Sequence, residues 1–254
     1  MKKKSVLIVI ALFMGVSVSF AQSVDEIVNK NIEAMGGKEK LAALKALKIS
    51  VSIDIGPNMK APATIYLVNG TKMRFELSLQ GMTMIQCITG DSGWAVNPFE
   101  GKKDAERMNN DDIQSSKDQM NLTNELFDYK AKGNKIELIG KEDMEGTDTY
   151  KLKVTKKNSD VDYVYLDAKT YLELKITSKH KFKDKEVESD EILSNYKKID
   201  GLMFAFSREE RQAGSQQGQT MVADSIEVNP KIDDKIFIMP VTAPTSPNTP
   251  PAGK

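Results

Sequence analysis

The sequence predicts a mainly β domain of the α+β class: one long antiparallel sheet, curled on itself, with helices at its start and in its middle. Three observations predict it. Apolar and polar residues alternate with a period of two in segment after segment, the mark of strands with one buried and one wet face. Turn signals separate these segments at roughly ten-residue spacing, as in all-β sandwiches and barrels. Helical periodicity is confined to the segments after the leader and to one polar insertion. The count comes to about ten or eleven strands, too many for a sheet that stays flat and open, so it must curl and a helix pair must cover part of its concave face.

The chain opens on a targeting segment. Lys2, Lys3 and Lys4 precede an apolar run from Val6 to Phe20, and Ser19 and Ala21 supply the small residues that a signal peptidase needs. The run is shorter than the ~18–20 residues of a spanning helix, so residues 1–21 are expected to be removed, leaving Gln22 first. No cysteine follows the cleavage point as a lipid attachment site. Cleavage leaves 33 basic against 36 acidic side chains, and neither a basic excess for nucleic acid nor an acidic disordered tail results. Hydrophobic residues at 40% are enough for a packed core, so the single cysteine, Cys87, leaves no structural need for a disulfide. Its mid-strand apolar setting marks it as a small buried hydrophobe.

Residues 24–35 read as a helix. Val24, Ile27, Val28, Ile32 and Met35 recur at helical spacing, Ser23 and Glu26 form a capping box, and Gly36-Gly37 ends it. A second short helix is expected over 38–47, with Leu41, Leu44 and Leu47 as its stripe. Ile49, Val51, Ile53 and Ile55 then alternate with polar residues, Gly56-Pro57-Asn58 turns the chain, and residues 63–68 form a strand closed by the hairpin signal Asn69-Gly70.

The stretch over residues 71–98 organises the rest. Met73, Phe75, Leu77 and Leu79 alternate with Arg74, Glu76, Ser78 and Gln80. After Gly81, Met82, Met84, Gln86 and Ile88 share one face of a second strand, and a Gly90-Asp91-Ser92-Gly93 turn leads to Trp94, the only tryptophan. With Ile65 and Leu67 of the preceding strand, these residues make a wide face lined by Met, Leu and Phe. The residues alone leave open whether a core or a ligand fills it.

From Gly101 the alternation breaks. Residues 101–121 are polar, with a weakly amphipathic helix expected over 110–121 and a further helical piece over 122–129. An insertion between two β runs is where a flap or lid sits. Strands resume over 135–141, 149–155, 161–166, 171–182, 187–196, 201–210 and 219–228. Asn229-Pro230 stops the last, and residues 233–239 are expected to hold a final helical turn. The Pro-, Thr- and Ser-rich residues 241–254 read as a disordered tail.

Catalytic constellations do not assemble. Gly90-Asp91-Ser92-Gly93 resembles a serine-protease nucleophile loop, but the one histidine, His180, lies downstream among lysines, and Trp94 stands where another glycine is required. A hairpin turn explains the motif. One histidine cannot build a His-based zinc site. The carboxylates at Glu142, Asp143, Glu145, Glu186, Glu188, Asp190, Glu191, Glu209 and Glu210 fall in turns or at alternating strand positions, as solvated faces do. No phosphate loop, dinucleotide fingerprint or EF-hand spacing is present. A non-enzyme with no cofactor and no metal is expected.

Four stretches carry a family likeness: IVNKNIEAMGGKEKLAALKALKIS, TIYLVNGTKMRFELSLQGMTMIQCITGDSGWAVNPFEG, VDYVYLDAKTYLELKITSK and NYKKIDGLMFAFSRE. Together they make residues 24–240 resemble the periplasmic lipoprotein carriers of the LolA/LolB type, the outer-membrane lipoprotein-sorting proteins. The chain departs from that pattern at Ala205, where proline is the commoner residue. The resemblance implies a single strongly curved antiparallel sheet forming an incomplete β barrel with a helical lid over residues 22–240. It implies a periplasmic carrier that holds acyl chains of lipoproteins or lipids in an apolar cavity and sorts them toward the outer membrane. The cavity would be lined by Ile65, Leu67, Met73, Phe75, Leu77, Leu79, Met82, Met84 and Trp94. Expected partners are an acylated lipoprotein or lipid and, transiently, a membrane or membrane protein; nucleic acid is not expected, and the chain is expected to be a monomer. The alternative is a non-catalytic envelope binding or scaffold module with a filled core, acting through its surface.

Overall fold

A computed structural model of the chain describes residues 23–241, apart from 57–58, 69, 183–184, 213–214 and 216. The leader, the tips of the turns after Gly56 and Val68, and the Pro-rich tail lie outside the described residues.

Helix α1 (Val24–Ala34) forms where the capping box was read: Ser23 Oγ accepts from the Glu26 amide at 3.2 Å. It buries Ile27, Val28 and Asn31. Gly36 follows with φ at +125°, and a Cβ there would lie 2.5 Å from the Gly201 carbonyl oxygen, so only glycine lets the helix end meet the turn beyond it. The Met203 amide bonds the Met35 carbonyl at 2.9 Å across this contact. Helix α2 (Lys38–Ala42) stops sooner than its leucine spacing suggests. Leu47 belongs to the first strand, which begins at Ala46. Asn229 fixes the junction: its side-chain oxygen accepts from the Lys45 and Ala46 amides at 2.6 and 3.2 Å, and its amide nitrogen donates to the Ala43 carbonyl at 3.2 Å.

Thirteen strands make one sheet. The first six are β1 (Ala46–Gly56), β2 (Met59–Val68), β3 (Lys72–Leu79), β4 (Met82–Thr89), β5 (Ser92–Asn97) and β6 (Lys102–Arg107). After α3 (Asn110–Ser115) and α4 (Tyr129–Lys132) come β7 (Lys135–Met144), β8 (Thr147–Thr155), β9 (Val161–Asp167), β10 (Glu173–Phe182), β11 (Lys185–Ile199), β12 (Leu202–Gln212) and β13 (Gln219–Val228). Their order across the sheet is β6-β5-β4-β3-β2-β1-β13-β12-β11-β10-β9-β8-β7. Every neighbouring pair is antiparallel. The sheet curves without closing, so the expected incomplete barrel is present. The two strands beyond the sequence count are β5 and β6. β6 reads KKDAER and is almost wholly exposed, so it carries no alternation for a pattern to catch.

The topology gives residues 108–134 a definite task. β6 and β7 are the two edges of the sheet, and this segment connects them directly. Its apolar side chains turn inward: Ile113, Met120, Leu126 and Phe127 are all buried. A lid position expected from the polar composition is thus occupied by a segment whose few hydrophobes enter the core.

Two clusters fill one end of the concave face. Leu41, Leu44, Ile113, Met120 and Phe127 pack on Leu47, Leu67, Met73, Ile88, Leu202, Phe206 and Ile226. Beside them Ile27, Val28 and Leu126 pack on Tyr150, Leu152, Val154, Val164 and Leu166. A third cluster joins Val51, Ile53 and Ala63 to Ile55, Phe75, Leu77 and Met221. All its members come from the adjacent strands β3, β2, β1 and β13, so strand neighbours on one face, not a helix, make the cluster. On the convex face the C-terminal segment, including the 3-10 turn Asp234–Phe237, covers Cys87 and Trp94.

Candidate functional site: an apolar trough with a polar wall

Strand register decides which expected cavity residues share a surface, because directly opposed residues point to the same side of a sheet. Leu67 opposes Met73, which opposes Ile88. Ile65 opposes Phe75, and Ala63 opposes Leu77, which opposes Met84. Leu79 opposes Met82. Eight of the nine therefore line the concave face together. Trp94 does not: it opposes Cys87, which opposes Arg74, on the convex face.

Trp94 has a defined structural role there. Its Nε1 donates to the Phe237 carbonyl at 3.0 Å, the Arg74 guanidinium lies 5.4 Å from its ring centroid, and Arg74 Nη1 donates to the Ile236 carbonyl at 2.6 Å. The Cys87 thiol also points at the Phe237 carbonyl, at 3.4 Å, and burial pushes its pKa up to about 11. An inert thiol, as the sequence suggests, results. Trp94→Phe is expected to lower stability by about 1–2 kcal/mol through the lost buried hydrogen bond, with acyl binding unchanged. Urea unfolding beside a ligand titration reads both.

The eight concave residues fall into two groups along the strands. Leu67 and Met73 sit in the helix-covered core. Phe75, Leu77, Leu79, Met82 and Met84, with Ile65 between the groups, are only half-buried. Natural cores do not leave a contiguous row of large apolar side chains half open without a reason, and binding surfaces are the commonest one. The trough thus begins where the helices stop.

Opposite the trough the concave wall turns polar. One row runs across it as Leu193–Arg208–Met221–Ile53–Ala61, each residue opposing the next. Arg208 donates to Glu191 Oε1 at 2.6 Å. Its side chain keeps 53% exposure, yet burial is the largest influence on its charge. Burial works against the charge, and Glu191, Tyr196 and Glu173 outweigh it, holding the guanidinium above its ordinary value.

Glu173 is the residue that sequence reasoning missed. In TYLELK it alternates with Leu172 and Leu174, which reads as outward. A register shift between Glu173 and Lys175 breaks that parity, and Glu173 opposes Leu166 of the inner cluster. Its carboxyl is 5% exposed, and Oε1 has no hydrogen-bond partner among the described residues. Burial pushes its pKa up to about 7, with Glu191 and Glu125 adding to the rise and Arg208 and an Asn124 hydrogen bond opposing it. The segment above is polar as well. Asn124 donates to Asn31 Oδ1 at 2.9 Å and accepts from the Phe127 amide at 3.0 Å, while the buried Asn31 donates to the Tyr171 carbonyl at 2.8 Å. The Tyr196 hydroxyl donates to the Glu173 carbonyl at 2.8 Å.

The protease-like turn is a hairpin, with the Ser92 hydroxyl donating to the Thr89 carbonyl at 3.1 Å. The side chain of His180 lies outside the described residues. Among the described residues no group of three or more His, Cys, Asp or Glu could hold a metal, and no helix is long and apolar enough to cross a membrane.

No sequence-family model and no curated protein matches the chain. Solved structures do match in fold. A LolA superfamily protein from Nitrosomonas europaea is 13% identical, with 86% of this chain and 98% of that one covered at a TM-score of 0.56. A DUF1329 family protein from Desulfovibrio piger is 15% identical, with 86% and 98% covered at a TM-score of 0.58. The putative outer membrane lipoprotein-sorting protein domain from Vibrio parahaemolyticus is 12% identical, with 84% and 94% covered at a TM-score of 0.55. With its single unclosed antiparallel sheet and helices seated on the concave side, the chain has the LolA-like open-barrel fold.

Proposed function

We propose that the chain is a non-catalytic carrier that binds acyl chains of lipids or lipoproteins in the concave trough and moves them across the periplasm toward the outer membrane. One observation carries this reading: the half-buried row Phe75, Leu77, Leu79, Met82 and Met84, beyond the reach of the helices. Each methylene taken from water onto such a surface gains ~0.8 kcal/mol, so a single acyl chain is held without any covalent step. Methionine suits the task because its unbranched, polarisable side chain adapts to chains of different shape. The fold is shared with a lipoprotein-sorting domain, and the leader read over residues 1–21 supports an envelope address for the mature chain. The filled end of the concave face is what favours the second reading, a binding module that acts through its surface.

Mass spectrometry of organic extracts from the purified mature chain tests the choice. Stoichiometric acyl lipid, and transfer of a fluorescent fatty acid out of vesicles by the protein, are the expected results. A protein that purifies free of lipid and extracts none from vesicles is a surface-acting module instead.

A further inference from the structure

Arg208 and Glu173 make no sense as parts of an apolar core. Two polar side chains on a concave wall cost stability unless something pairs with them. Arg208 has one direct partner among the described residues, Glu191, which takes only Nη1. The rest of the guanidinium fork has no protein partner among the described residues, and the side chain is 53% exposed. Glu173 presents a buried, unpartnered oxygen from the neighbouring part of the same wall. The row Arg208–Met221–Ile53–Ala61 then leads from the charge, residue by residue, to the strands that carry the trough. With strands ~4.8 Å apart, Ile53 lies about 10 Å from Arg208 along the wall, and β3 lies two strands further on.

We propose that Arg208 and Glu173 form a polar subsite that receives the carboxylate end of a single-chain acyl ligand whose tail lies in the trough. This rests on the acyl-chain reading given above. The charge balance selects the head group. Arg208 is already half-compensated by Glu191, and a protonated Glu173 offers one donor and no charge. A monoanion completes that set; a dianionic phosphate would bring a second negative charge beside Glu191 and the buried Glu173 with no cation to match it. The guanidinium fork suits a planar carboxylate, and the Glu173 hydroxyl supplies the third hydrogen bond. Glu173 is faced by Arg208 from β12, Glu191 and Tyr196 from β11, and Asn124 and Glu125 from the covering segment. When it ionises, a second negative charge meets the ligand, so the subsite holds an acid near pH 6 and loosens it near pH 8.

The test is fluorescence titration of the mature chain with a polyene fatty acid and, separately, its methyl ester, each at pH 6 and pH 8. The acid is expected to bind at least about tenfold more tightly than the ester at pH 6, the scale of hydrogen bonds to a charged group. That preference shrinks at pH 8. Arg208→Gln is expected to bring the acid down to the ester and leave the ester unchanged. Arg208→Lys, which keeps the charge without the fork, retains part of the preference and guards against a misfolded Gln variant. Glu173→Gln is expected to keep acid binding and remove its loss at pH 8. Equal binding of acid and ester by the wild type overturns the polar subsite and leaves the trough standing. A preference that survives Arg208→Gln overturns it too. If neither probe binds, the acyl-chain reading has failed and the subsite with it.

Discussion

Replacing Leu77 and Met84 together by glutamine is expected to weaken acyl binding at least about thirtyfold while leaving the fold intact. The two side chains oppose each other across β3 and β4 on the concave face, beyond the helix-covered core. Each is only partly buried in the free protein, so a glutamine there keeps contact with water, and the unfolding free energy falls by about 1–2 kcal/mol, less than at a fully buried site. A hydrocarbon chain in the trough changes that. It strips water from both amides and offers nothing in return, at a cost of about 1–3 kcal/mol for each unpaired group. The asymmetry separates this trough from a core. Leu152→Ala, at a fully buried site in the cluster under α1, follows the opposite rule and costs about 2–5 kcal/mol of stability with no direct effect on binding. Fluorescent fatty-acid titration and urea unfolding on the double variant decide the matter. Unchanged affinity places the ligand elsewhere, and a large loss of stability makes these residues ordinary core.

Which parts of this arrangement the sequence declares follows from how locally each is encoded. The cap of α1 is written in four residues, and the hairpins in their turn dipeptides, so both are legible. β6 is an edge strand exposed on both faces, and KKDAER has no reason to alternate. Leu47 continues the leucine spacing of α2, yet it lies in β1, because the contacts of Asn229 that end the helix come from the far end of the chain. Trp94 was readable in principle. Gly90 and Asp91 form a two-residue turn, so counting outward pairs Thr89 with Ser92, Ile88 with Gly93 and Cys87 with Trp94. Cys87 alternates with Ile88, and the tryptophan therefore belongs on the convex face. Grouping Trp94 with the apolar side of the trough strands runs against that parity. Glu173 was not readable at all. Its inward position depends on a single irregularity in the β9–β10 register, and no residue type in TYLELK announces one.

That buried carboxyl gives the second large expectation, a stability that falls as the medium turns from acid to neutral. An exposed glutamate titrates near 4.5, and Glu173 in the folded chain titrates at about 7, with burial as the main cause. Between these values the folded state binds a proton that the unfolded state has released, so stability declines with rising pH across this window. The contribution is complete below pH 4.5 and gone above about pH 7; the difference corresponds to roughly 3 kcal/mol. Glu173→Gln keeps a neutral, hydrogen-bonding side chain at every pH. It should therefore match the wild type near pH 4.5 and exceed it by roughly 3 kcal/mol at pH 8. Arg208 limits the effect, since its charge opposes the rise, so the double change Glu173→Gln with Arg208→Gln measures the coupling directly. Urea unfolding of the wild type and Glu173→Gln at pH 5 and pH 8 supplies the comparison. A gap between the two chains that stays constant over that range would mean that Glu173 is ionised throughout. In that case the wall around Glu173 is wet enough to solvate a carboxylate, and the side chain has no proton to offer a ligand between pH 5 and pH 8.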